Sequence, residues 1–310
     1  MKLAFVFPGQ GSQTVGMLGG WGANPVIAAV MQRASAALDQ DLGALVEQGP
    51  AEELNLTVNT QPVMLACSVA MYEAWRQAGG AKPAFMAGHS LGEYSALTAA
   101  GTFTLEDAVR LVRIRASAMQ EAVPVGTGGM AAILGLDDDT VLAVCQEASG
   151  DTIVEAVNFN APAQVVIAGH KDAVERACVL AKEKGAKRAL PLPVSAPFHS
   201  RLLEPAAAVL EKALNELTLN MPDTDVINNV DVAIADSTQA IADALVRQAW
   251  HPVRWVETVR AMKAQGVTHV VECGPGKVLA GLIKRIEPEL VTVSVYDQAS
   301  LDAALEQINA

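Results

Sequence analysis

The sequence predicts an α/β protein: an α/β-hydrolase-like large domain interrupted by a ferredoxin-like (βαββαβ) small domain. Three observations carry that expectation. The box Gly88-His89-Ser90-Leu91-Gly92 follows an apolar run, Ala84 to Ala87, and precedes an alanine-rich segment, Tyr94 to Ala100. That is strand, sharp turn and helix in sequence, the setting of a nucleophile elbow. Short apolar runs then alternate with amphipathic stretches along most of the chain. From Gly126 to Val194 the alternation changes to strand, helix, two strands, helix, strand. The domains are therefore expected at 1–125 with 195–310, and at 126–194. At 310 residues, 51% of them hydrophobic, the chain can bury a large core.

In order, Lys2 to Phe7 reads as a buried strand that runs into the turn-rich loop Pro8 to Gln13. Pro25 to Leu45 reads as one amphipathic helix. Gln61-Pro62-Val63 opens the next, with Pro62 in its first turn, and Gly79-Gly80 closes it. The elbow strand and helix follow and end at Gly101. Thr104 to Val123 is a helix with the apolar stripe Ala108, Leu111, Val112, Ala118, Met119 and Ala122. In the small domain the strands are Met130 to Leu134, Ile153 to Asn158, Gln164 to Ala168 and Ala189 to Val194, with a turn at Asn160-Ala161-Pro162. Its helices are Asp137 to Ala148 and Lys171 to Lys184. A helix from Arg201 to Leu217, a strand from Val226 to Val230 and a helix from Thr238 to Trp250 resume the large domain. Another helix, near Pro252, precedes the strand Thr268 to Glu272. The helix Lys277 to Ile286, the strand Glu289 to Tyr296 and the helix Leu301 to Ile308 complete the alternation.

Composition narrows the function. A net charge of −12 argues against nucleic acid as a partner. No apolar run approaches membrane-spanning length, and Met1 to Pro8 is too short for a signal segment. The four cysteines are scattered with no C-x-x-C pair, so neither a disulfide framework nor a metal site is expected, and a cytoplasmic setting is. Nothing in the pattern demands a dimer, and a monomer is expected.

The elbow nominates Ser90 as nucleophile. Residues two before and two after it must be small, as Gly88 and Gly92 are, and the Leu91 N–H at the helix start can face an oxyanion. Gln10, after the first strand, is either a second oxyanion donor or part of an ordinary strand-to-helix turn. Of five histidines, His199 and His251 stay in play as the base, with His199 preferred. Arg115 interrupts the apolar stripe. A buried guanidinium must meet an anion, as a structural salt bridge or as a clamp for a substrate carboxylate. No acid stands out between Ser90 and His199 to complete a triad.

The segments Phe5-Val-Phe-Pro-Gly-Gln-Gly-Ser-Gln13, Gly88 to Ala96, Asn158-Phe-Asn-Ala-Pro162, Pro193-Val-Ser-Ala-Pro-Phe-His199, Ala244 to Gln248 and Glu272 to Lys277 resemble those of the malonyl-CoA:acyl carrier protein transacylases. The resemblance covers nearly the whole chain in the same order. It implies that Ser90 takes the malonyl group, with His199 as base and acid. Gln10 and Leu91 would form the oxyanion hole, and Arg115 would bind the malonyl carboxylate. Gln248 would orient His199 through its main-chain carbonyl. Gln61 and Asn160 would line the cleft, and Phe198 matches the malonyl-selecting form of its motif. The implied substrate is a CoA thioester, with no cofactor, and the implied partner is acyl carrier protein. Lys182, Lys184, Lys187, Arg188, Lys277, Lys284 and Arg285 are candidate docking cations. A serine esterase or thioesterase, a malonyl transferase supplying polyketide synthesis, and a carrier-binding module without catalysis are the alternatives.

Overall fold

The computed structural model describes residues 1–194 and 196–309. Its strands are β1 (Leu3–Phe7), β2 (Phe85–Gly88), β3 (Gly128–Leu134), β4 (Val154–Ala161), β5 (Gln164–His170), β6 (Arg188–Pro191), β7 (Asp225–Ile227), β8 (His269–Cys273) and β9 (Val291–Val295). They form a five-stranded sheet in the order β7-β2-β1-β8-β9 and a separate four-stranded sheet in the order β4-β5-β3-β6. Every pairing in the first is parallel and every pairing in the second antiparallel. The architecture is mixed α/β.

The parallel sheet is covered on both faces, as its unbroken apolar strands require. Side chains alternate along β1. Phe5 and Phe7 join the core beneath the helix Thr57–Gln77, where Phe5 packs edge-on against Tyr72 and Trp75. Ala4 and Val6 face the opposite layer, with Trp255, Val259 and Ile283. The register sets Phe7 beside Gly88 and Val6 beside Glu272, so β1, β2 and β8 end together. The edge of the antiparallel sheet is pinned there too. Phe159 N–H donates to the Val253 carbonyl at 3.0 Å, and Val253 N–H to the Val157 carbonyl at 2.8 Å. This carries the end of β4, with Asn160, to the mouth of the elbow.

Several elements depart from expectation. The stretch 25–45 is two helices, Pro25–Leu38 and Leu42–Gln48. Asp39 turns left-handed (φ 49°), and Asp41 caps the second helix by accepting the Ala44 N–H at 2.8 Å. The helix through Pro62 begins a turn earlier, at Thr57, because Thr60 Oγ1 fastens that turn to the Leu54 carbonyl at 2.6 Å. Pro62 thus lies inside the helix. Strand β4 runs on to Ala161, and the turn falls at Pro162-Ala163, with Ala163 at φ 57°. Strand β7 stops at Ile227, which frees Asn228 and Asn229 for side-chain work. Strand β6 is shorter than expected, and the expected return to the large domain at Ser195 lies outside the described residues. Among the described residues no helix is long and apolar enough to cross a membrane.

Candidate active site

Ser90 sits between β2 and the helix Leu91–Ala99 at φ 53°, a strained conformation for a residue with a Cβ. The glycines permit it by close approach. A Cβ on Gly88 would stand 1.8 Å from the Gly92 backbone, and one on Gly92 would stand 2.0 Å from the Phe7 carbonyl oxygen. Leu91 is the first helical residue, so its N–H has no partner within the helix. Gln10 lies in the neighbouring loop after β1, exposed, its Oε1 accepting from Thr57 Oγ1 at 2.8 Å.

His199 reaches Ser90 from the far side of the chain. Its Nε2 stands 2.6 Å from Ser90 Oγ, and its Nδ1 2.9 Å from the main-chain carbonyl oxygen of Gln248. That carbonyl can only accept. Nδ1 therefore carries the proton, and Nε2 offers its lone pair to the serine hydroxyl. His251 is not at this site. Its Nδ1 bonds the Arg247 carbonyl at 2.9 Å, and with Trp250 and His199 it lines a cleft of about 860 Å³. His89, beside the serine, turns away and shares a 2.7 Å bond with Asn160 Oδ1.

Arg115 is only 2% exposed. Its Nη1 donates to Gln61 Oε1 at 2.8 Å, and its Nη2 to Gln248 Oε1 at 2.9 Å and to Ser90 Oγ at 3.3 Å. The guanidinium lies over the Tyr94 ring, 5.2 Å from its centroid. Among the described residues no carboxylate comes within 4.0 Å of its nitrogens, so the salt-bridge reading fails. The charge is held by neutral acceptors and aimed at the nucleophile. Phe198, half-buried, packs where the two sheets' cores meet.

Two further residues complete the cluster. Asn229 accepts the Ser90 N–H on Oδ1 at 2.8 Å and donates from Nδ2 to the Gly88 carbonyl at 2.7 Å, bracing the strained turn from both sides. Glu93, 2% exposed, accepts from Asn229 N–H at 2.9 Å and from Gln248 Nε2 at 3.0 Å. Sequence reasoning missed both as functional candidates. Their only signals were an acid in an otherwise small and apolar helix and a paired asparagine after a short strand.

Burial first, then the charge of Arg115, pull the His199 imidazole down from 6.5 to about 3. It is therefore neutral throughout the physiological range. In ¹³C–¹H NMR of the ring, His199 should show no protonation from about pH 8 down to about pH 5. A shift centred near 6.5 would contradict the dry, positively flanked site. Burial likewise pushes the Glu93 carboxyl up to about 7, against the bonds from Gln248 and Asn229. Among the described residues no cluster of His, Cys, Asp and Glu could hold a metal ion.

Known proteins share this arrangement's frame. Residues 4–295 match the acyl transferase domain. The malonyl CoA-acyl carrier protein transacylase of Escherichia coli is 56% identical over 98% of this chain and 99% of its own. The acyl-carrier-protein S-malonyltransferase of Burkholderia pseudomallei superposes with a TM-score of 0.97 at 64% identity, over 99% of this chain and 100% of that one. A malonyl-transacylase solved in complex with its type II PKS acyl-carrier protein superposes at 0.98 with 52% identity, over 99% and 100%. Identity of this depth across the full length leaves one assignment: the chain belongs to the acyl transferase family, among its malonyl CoA-acyl carrier protein transacylases.

Proposed function

We propose that this chain moves a malonyl group from malonyl-CoA to the phosphopantetheine thiol of acyl carrier protein through a malonyl ester on Ser90, supplying fatty acid synthesis. The observation that carries the reading is Arg115, a buried cation with no carboxylate partner among the described residues, 3.3 Å from the nucleophile. A substrate carboxylate is the partner it lacks.

The chemistry follows from the positions. Ser90 Oγ passes its proton to His199 Nε2 and attacks the thioester carbonyl carbon. The oxyanion is taken by the N–H groups of Leu91 and Gln10, each contributing about 3 kcal/mol in comparable sites. Collapse breaks the carbon–sulfur bond, and His199 returns the proton to the CoA sulfur. In the second half the carrier thiol gives His199 its proton and attacks the ester, and Ser90 leaves with that proton. The Gln248 carbonyl holds the tautomer throughout, in the place of a triad acid. Gln61 and the Gln248 side chain aim Arg115. Asn160, tethered to His89, and Phe198 would border the acyl chain. A malonyl carboxylate seated on Arg115 offsets the charge that depresses His199, so bound substrate strengthens its own base.

The finer architecture supports the same reading. The order β4-β5-β3-β6, reached through a βαββαβ run, supports a ferredoxin-like unit at 126–194 set into an α/β-hydrolase-like unit of 1–125 and 195–310. The seven candidate docking cations are exposed, though Lys184 already pairs with Glu147 at 3.0 Å and Arg285 reaches the Pro162 carbonyl at 3.1 Å. Free, buried cysteines suit a reducing cytosol.

Intact-mass measurement after mixing with malonyl-CoA tests the proposal. A malonyl adduct should form, be absent in Ser90→Ala, and pass to added holo carrier protein. CoA release without an adduct or transfer would instead make the protein a thioesterase, and no reaction would leave it a carrier-binding module.

A further inference from the structure

We infer that Glu93 is the positioning residue of this site, setting both the base and the carboxylate clamp through Gln248. The inference rests on the proposed malonyl transfer and adds a residue to it.

The Gln248 side chain is fully buried, and its amide is committed at both ends. Oε1 accepts from Arg115, while Nε2 donates to the Ser90 carbonyl at 2.8 Å and to Glu93 Oε2 at 3.0 Å. A guanidinium can only donate, and Glu93 Oε2, which already takes two N–H groups, accepts whether the carboxyl is ionised or carries its proton on the other oxygen. Arg115 and Glu93, at opposite ends, therefore select one of the amide's two orientations. The same residue's main-chain carbonyl orients His199. Glu93 Oε2 also takes the N–H of Asn229, whose side chain braces Gly88 and Ser90. One carboxylate oxygen thus anchors the two residues that shape the elbow and aim the imidazole and the guanidinium. Glu93 touches neither Ser90 Oγ nor His199 in any described hydrogen bond. It acts through its neighbours, as an acid moved one residue back from a triad.

Loss of that acceptor would strand the Asn229 N–H and one Nε2 hydrogen of Gln248, leaving the amide held only by Arg115 and the Ser90 carbonyl. Glu93→Ala should therefore slow labelling of Ser90 by a fluorophosphonate, and malonyl loading from malonyl-CoA, by about tenfold or more. Malonyl loading should fall further than acetyl loading, because the clamp is disturbed as well as the base. Glu93→Gln keeps an amide oxygen for both N–H groups and should return each rate to within about threefold of the parent. Glu93→Asp, which draws the carboxylate back by one methylene, should behave as Ala does and covers the case in which Ala fails to fold. An unchanged rate, equal losses for malonyl and acetyl, or a Gln variant as slow as Ala would overturn the inference. A parent protein that takes the fluorophosphonate but not malonyl would defeat the proposed transfer instead, and the labelling rates of the variants would still decide the role of Glu93.

Discussion

His199→Ala should slow acylation of Ser90 by about 10³- to 10⁴-fold, measured as CoA release in a single turnover. The serine hydroxyl is a weak nucleophile until its proton has somewhere to go, and the acceptor is a lone pair 2.6 Å away. No other described group can substitute. His251 is committed to the Arg247 carbonyl, and His89 is tied to Asn160. Arg115, the remaining neighbour of the hydroxyl, can only donate. The variant should stay folded, since what it loses besides chemistry is one bond to the Gln248 carbonyl, worth about 1–3 kcal/mol once that carbonyl is stranded. Added imidazole should recover part of the rate. A loss smaller than about tenfold, in a folded variant, would remove His199 from the mechanism.

The parts of this site that were readable from sequence are those fixed by local rules. Gly88 and Gly92 are legible because a turn that lifts a serine clear leaves no room for Cβ atoms at those two positions. Arg115 is legible because helical periodicity places it among buried apolar neighbours, where a charge needs a reason. The succession of strands and helices from Gly128 to Pro191 is legible from regular element lengths. Gln248 is another matter. Its value lies in a main-chain carbonyl, which every residue has, and only family resemblance singled it out. Glu93 and Asn229 meet across 136 positions of sequence. Alone, the first passes for a favourable charge at a helix start and the second for a loop residue. The helix break at Asp39 and the early start at Thr57 were missed because side chains, Asp41 and Thr60, decide them against the periodic pattern.

Arg115→Ala should cut malonyl loading by about 10²- to 10³-fold, while acetyl loading falls by less than about tenfold. The asymmetry is the substance of the prediction, because acetyl has no carboxylate to lose. A structural arginine would lower both equally, and that result would dismiss the clamp. Arg115→Lys should recover little. An ammonium cannot span Gln61 Oε1 and Gln248 Oε1 as the planar fork does, so it would not present a fixed pair of donors to the incoming carboxylate. A second consequence separates the electrostatic role from the steric one. Arg115 is the leading charged cause of the depressed His199 imidazole, after burial itself. Without it the imidazolium is less disfavoured, so the ring's protonation should move up from about 3 toward its ordinary range. Residual acetyl loading by Arg115→Ala should then decline at a higher pH on the acid side than the parent's does. Malonyl bound to the parent should raise the His199 value in the same direction, because its carboxylate cancels the same charge. If both changes appear, Arg115 is more than a handle for the substrate: it withholds proton affinity from the base until the anionic acyl group arrives.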